Sequence, residues 1–128
     1  MIYVLLAEGF EDIEALEPVD ILRRAEIDVK TVGVMGKTAT SSHKVTVFAD
    51  IEIDEVDTSK MDMLVLPGGP GYPNLENSEK VQKLIKFAAE NDIYIAAICA
   101  SPSIIGKLGL LSDKKYTCFP GFEEFVKD

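Results

Sequence analysis

"IYIAAICASPSIIGKLG", residues 93–109, joins a continuous apolar run to a helical pattern, with a cysteine at the junction. A run such as 93–98, apolar at every position, suits a strand covered on both faces, as in a parallel sheet. Ser101-Pro102 then opens a helix, since proline is tolerated in a first turn, and Gly109 suits its end. Similar apolar runs occur at 2–6, 29–35 and 63–66, while 44–48 alternates as a half-exposed strand and 116–119 is a last strand candidate.

Helical patterns lie between these runs. Residues 78–91 place Val81, Leu84, Ile85 and Ala88 on one stripe, with Lys80, Lys83 and Glu90 opposite. Residues 12–25 carry an apolar arc of Ala15, Pro18, Val19, Ile21, Leu22 and Ala25. Strands alternating with helices predict an α/β fold with a mostly parallel sheet.

The chain has 128 residues, 47% of them hydrophobic and 27% charged, which suits one domain with one core. A net charge of −9 argues against an electrostatic hold on nucleic acid or anionic lipid. No stretch approaches the roughly 20 apolar residues of a membrane span. The two cysteines have no framework spacing, so a reducing cytoplasm is expected. The ending "FEEFVKD" opens a helical pattern with no strand behind it. Residues 1–128 are therefore expected to be a single domain incomplete at its C-terminus, exposing an apolar edge or face of the sheet.

In such a sheet, sites gather beyond the carboxyl ends of the strands. Three segments converge there: "AEGFEDIE", "PGGPGYPN" and "CASP". Glu14 projects into the apolar arc of its helix, where a carboxylate needs a partner or a proton. The same position also suits a helix-start acid favoured by the dipole. The glycine loop lets backbone N–H groups approach a bound atom, although a tight turn would read the same way. Cys99, between a buried strand and a helix start, is placed as on a nucleophile elbow, where the helix dipole is expected to lower the thiol pKa and the Ala100 N–H is available to a developing anion. A buried, inert thiol is the alternative, and Cys118 reads as that kind. His43, in "TATSSHK", is expected to be a surface residue far from these strand ends, so neither a Cys-His pair nor a metal site is expected.

Two ligand-binding readings fail on residues. Glu8, Glu11, Asp12 and Glu14 would repel the phosphate of a nucleotide or flavin after the first strand. A phosphoacceptor domain needs an aspartate where this chain has Leu66-Pro67-Gly68-Gly69.

The segments "AEGFEDIEALEPVDILRRA", "DMLVLPGGPGYPNL" and "IAAICASPSIIGKLGLL", in this order, resemble the ThiJ/PfpI family, the group that includes the Parkinson-associated deglycase. The resemblance spans essentially the whole chain. It implies a flavodoxin-like three-layer sandwich, usually a homodimer, acting without a cofactor. By position it implies that Cys99 is the nucleophile and Glu14 the protonated acid touching its sulfur. Gly69 and Ala100 would supply backbone N–H groups, Gly68 would shape the loop, and Arg24 would lie near the dimer-side pocket.

Two departures narrow the function. The family's peptidase-like branch has histidine after the cysteine, where this chain has Ala100, so an intracellular peptidase is disfavoured. Many members also draw a histidine from a later stretch, beyond Asp128. The expected function is glyoxalase- or deglycase-type chemistry on a small aldehyde or its glycated adduct. The alternative is a redox-sensing stress protein or chaperone in which Cys99 is oxidised.

Overall fold

Strand β1 (Ile2–Leu6) is buried along nearly its whole length, and the computed structural model, which describes residues 1–126, arranges the other elements around it. In chain order these are helix α1 (Asp12–Arg24), β2 (Val29–Gly33), β3 (Thr38–Thr40), β4 (Thr46–Phe48) and β5 (Ile51–Glu52). There follow β6 (Met63–Leu66), α2 (Tyr72–Glu76), α3 (Glu79–Glu90), β7 (Tyr94–Ala97) and α4 (Pro102–Lys107). Five strands form one sheet in the order β5-β2-β1-β6-β7, every pairing parallel. β3 and β4 form a separate antiparallel pair.

Because side chains alternate along a strand, β1 feeds two cores. Tyr3 and Leu5 pack with Leu64, Leu66, Val81 and Ile85 on the α3 side. Val4 and Leu6 pack with Ala15, Val19 and Val65 on the α1 side. Helices therefore cover both faces, as the three-layer expectation required.

The two longer helices begin on side-chain caps. Ser78 Oγ accepts from the Val81 N–H at 3.3 Å, and α3 buries the expected stripe of Val81, Leu84, Ile85 and Ala88. Glu11 Oε2 accepts from the Glu14 N–H at 2.8 Å and starts α1. The far end of α1 is tied down through Asp50. Its Oδ2 accepts from the Thr31 N–H at 2.8 Å, the Thr31 hydroxyl at 3.1 Å and the Arg23 guanidinium at 2.6 Å. Burial by itself would raise the Asp50 pKa, but the Thr31 hydrogen bonds and the Arg23 charge outweigh it and hold the carboxyl below its ordinary value.

Several elements differ from expectation. The arc on α1 is narrower than its periodicity suggests: only Ala15 and Val19 are buried, and Ile21 is 55% exposed. Ile21 instead lines an open cleft of ≈ 540 Å³ with Ile13, Pro18, Val65 and Ala96, between α1 and the strands β6 and β7. The half-exposed strand at 44–48 is shorter, and its partner "TAT" carried no apolar signal. Residues 116–119 form no strand; one backbone bond, from the Phe119 N–H to the Cys99 carbonyl at 2.8 Å, docks them at the turn after β7. After them comes a 3₁₀ turn, Phe122–Phe125, and the last part of the expected pattern, Lys127 and Asp128, lies outside the described residues. β7 is the edge strand, with Tyr94 74% exposed. Among the described residues, no helix is long and apolar enough to cross a membrane.

Candidate active site

The sheet order reverses direction at β1, which pairs with β2 on one side and β6 on the other. Loops leaving neighbouring strands there diverge to opposite faces and open a crevice between them. Into this crevice run residues 7–11 after β1 and 67–71 after β6, and the turn after β7 brings Cys99 alongside.

Glycine makes the approach possible. A Cβ on residue 68 would lie 2.6 Å from the Cys99 Cβ and 2.7 Å from Glu14 Oε1, closer than carbon atoms are found. Only a hydrogen at this position lets the three segments touch. The bare Gly68 backbone donates its N–H to Glu14 Oε1 at 2.9 Å and accepts from the Glu11 N–H at 3.0 Å. Gly69 follows with φ +99°, a left-handed conformation that turns its own N–H towards Cys99.

Cys99 itself has φ +63°. That conformation costs a non-glycine residue about 1–3 kcal/mol and is typical of elbows that present a nucleophile. The turn is braced from beneath: the buried Ser101 hydroxyl donates to the Pro67 carbonyl at 2.6 Å, and the buried Ser103 hydroxyl to the Ala100 carbonyl at 2.6 Å. The first of these links the cysteine turn to the glycine loop. No motif in the sequence announces it.

The Cys99 sulfur sits among three polar groups: the Gly69 N–H, the Ala100 N–H and the Glu14 side chain. Its pKa is raised, first by burial and further by the negative charge of Glu14, with the two N–H groups opposing. This corrects the expectation of a thiol made acidic by the following helix. α4 has only six residues and starts three positions after Cys99, so its dipole is small and displaced. The Gly69 and Ala100 N–H groups provide what anion stabilisation there is.

The sulfur opens into a cavity of ≈ 470 Å³ whose outer wall is aromatic: Tyr72, Phe119 and Phe122. Tyr72 and Phe122 meet edge to face with centroids 5.1 Å apart, and Phe122 meets Phe119 at 6.2 Å. These three residues were not singled out in the sequence; the "YPN" and "FPGF" pieces look like loop spacers until the fold closes them over Cys99. Glu11 and Glu14 are the charged residues of the lining.

The structure thus brings together Cys99, Glu14, Gly68, Gly69 and Ala100. Arg24 stands apart, near the other end of α1, exposed and paired with Asp20 at 3.1 Å. Ten residues of helix, about 15 Å, separate it from Glu14. His43 is exposed as expected, yet it is not remote from the first loop: its Nδ1 lies 2.9 Å from Asp12 Oδ1. Glu11, Asp12 and His43 present ligand atoms within 4.8 Å of one another, the arrangement among the described residues that could hold a metal. Each already has work in the fold, since Glu11 caps α1 and Asp12 accepts from Ser41 and meets His43.

The DJ-1/PfpI family profile matches residues 1–128. Over 123 residues the chain is 39% identical to protein DJ-1 homolog B of Arabidopsis thaliana, covering 93% of this chain and 28% of that protein. Over 127 residues it is 32% identical to a deglycase of Thermococcus kodakarensis, covering 99% of this chain and 76% of that one. A solved DJ-1 superfamily protein of Salmonella typhimurium superposes with a TM-score of 0.92 at 33% identity, covering 98% of this chain and 70% of that one.

Proposed function

The chain belongs to the DJ-1/PfpI family, and from that premise we propose that it is a cysteine-dependent enzyme of glyoxalase or deglycase type, acting on reactive carbonyls. The observation that carries the reading is the convergence of two backbone N–H donors and the Glu14 carboxyl on one sulfur, Cys99, at the floor of a cavity. A thiolate there would attack the aldehyde carbon of a 2-oxoaldehyde, forming the S–C bond as the C=O electron pair moves to oxygen. The charge moves two bonds, from sulfur through carbon to oxygen, and the Gly69 and Ala100 N–H groups beside the sulfur would be the donors offered to the oxyanion.

Glu14 is the proton carrier in this scheme. It gives a proton to the oxyanion, removes the hydrogen from the former aldehyde carbon as a proton and returns it to the neighbouring carbon, while the hydroxyl proton passes from the first oxygen to the former ketone oxygen. Water then cleaves the thioester, releasing a 2-hydroxy acid and free Cys99. On a glycated amine the same addition would end with hydrolysis that frees the amine. The aromatic wall and the two acidic residues favour small, neutral carbonyls over anionic ones.

A homodimer through α1 belongs to this reading, because Ile13 is 65% exposed on that helix. So does a cytoplasmic location, where both cysteines, free here, would stay reduced.

The experiment is turnover of methylglyoxal by the purified protein, followed as loss of the aldehyde and appearance of lactate. Wild type should turn over and Cys99→Ala should not. Equal rates for the two, or none in wild type, would defeat the proposal.

A further inference from the structure

The backbone bond from the Phe119 N–H to the Cys99 carbonyl, 2.8 Å long, has two counterparts within the parallel sheet. The Val34 N–H donates to the Leu6 carbonyl, and Leu6 stands opposite Gly33. The Ile98 N–H donates to the Leu66 carbonyl, and Leu66 stands opposite Ala97. In both, the residue giving the carbonyl faces the residue just before the donor. The Phe119 bond likewise brings Cys118 beside Cys99, although Cys99 is left-handed at φ +63° and residues 116–119 form no strand. Facing residues on neighbouring parallel chains lie about 4.8 Å apart, inside the 4.4–6.8 Å span of Cα atoms that a disulfide bridges. Even with no regular pairing, standard bond lengths and this hydrogen bond keep the two Cα atoms within about 7.6 Å.

Both thiols are free and half-buried. The Cys118 thiol donates to Glu123 Oε2 at 3.9 Å, and that oxygen is held in place by the Gly121 N–H at 2.7 Å. Burial first, then the Glu123 charge and finally the charge of Cys99 itself, raise the Cys118 pKa. Cys118 is therefore a protonated thiol at neutral pH with a fixed base beside it, and it lies close enough to Cys99 for their charges to interact.

From this juxtaposition we propose that Cys118 is the resolving cysteine for Cys99: after a hydroperoxide oxidises Cys99, the two close an intramolecular disulfide. In the first step the Cys99 thiolate attacks one peroxide oxygen. An S–O bond forms, the O–O bond breaks, the sulfur loses two electrons to the peroxide, and the alcohol or water leaves with a proton. In the second step Cys118 passes its proton to Glu123, and its sulfur attacks the Cys99 sulfenic acid. The S–S bond forms as the S–O bond breaks, and hydroxide leaves as water with the proton that Glu123 took from Cys118. A low-molecular-weight thiol restores both cysteines by exchange. The inference requires a nucleophilic Cys99 but no turnover of carbonyls, so it can hold where the proposed function fails.

The test treats the wild-type protein and Cys118→Ser with equimolar hydrogen peroxide, blocks remaining thiols and maps the peptides by mass spectrometry. Wild type should give a cross-linked pair of peptides containing Cys99 and Cys118, reversible by dithiothreitol, with little sulfinic acid. Cys118→Ser should lose the cross-link and carry Cys99 on to sulfinic acid. Glu123→Gln should slow cross-linking while leaving the rate of Cys99 oxidation unchanged. The proposal is overturned if wild type accumulates sulfinic acid as fast as Cys118→Ser, or if any disulfide found joins two chains.

Discussion

Gly68 donates its backbone N–H to Glu14 Oε1 at 2.9 Å, and this one bond aims the carboxyl from the α1 side at the cysteine turn. The missing side chain matters as much as the bond. In Gly68→Ala the new methyl would lie 2.6 Å from the Cys99 Cβ and 3.0 Å from the Ile98 carbonyl oxygen, and the backbone oxygen cannot swing aside. We expect the variant to lose roughly 1–3 kcal/mol of stability, the range for overpacking a filled site. Because Glu14 and Cys99 must separate to admit the methyl, methylglyoxal turnover should fall with it. Urea denaturation and steady-state kinetics check the two effects, and a wild-type midpoint with wild-type turnover would contradict both.

Glu14→Gln separates acidity from proton transfer. The Glu14 charge raises the Cys99 pKa, so its removal should make the thiol ionise at lower pH. Alkylation by iodoacetamide, followed against pH, should move to lower pH accordingly. The amide cannot carry a proton, and turnover should drop by roughly 10²–10⁴, the usual loss for a general acid–base. Glu14→Leu should share that loss of turnover. If Glu14→Gln turns over substrate like wild type, Glu14 is only a helix-start acid.

Asp50 makes stability sensitive to acid. Its pKa is lowered in the folded protein from an ordinary value of 3.8. The unfolded chain therefore takes up a proton first as pH falls. The contribution of Asp50 is fully present above about pH 4 and is lost as pH drops through the lower, folded value. At neutral pH, Asp50→Ala should cost about 1–3 kcal/mol, through the hydrogen bonds lost by Thr31 and Arg23. The gap between variant and wild type should narrow below pH 4. Denaturation midpoints from about pH 2.5 to about pH 7, across that carboxylate range, give the comparison.

What the sequence determined by itself was whatever depends on local periodicity and backbone chemistry. Apolar runs at 2–6 and 63–66 place β1 and β6, because a strand buried on both faces has no polar positions to interrupt it. The run at 93–98 places β7, but β7 lies at the edge of the sheet and none of its residues is buried, so the expected cover on both faces is not there. The stripe of Val81, Leu84, Ile85 and Ala88 marks the buried face of α3. Glycines at 68 and 69 and the cysteine at the end of an apolar run mark the candidate site, since close approach and sharp turns restrict the residue types allowed.

The tertiary structure alone decided the rest. β3 and α2 are three and five residues long, too short for a period to register. Ile21 fits the apolar arc of α1 but is left on an open cleft, because periodicity gives a direction and says nothing about what lies there. The Cys99 pKa depends on the balance between burial and the Gly69 and Ala100 N–H groups, which is a property of three-dimensional distances. Cys118, nineteen positions away along the chain, looks inert in sequence. It gains its proposed role only because Phe119 hydrogen-bonds to the backbone of Cys99, a contact between chain segments that no local pattern encodes.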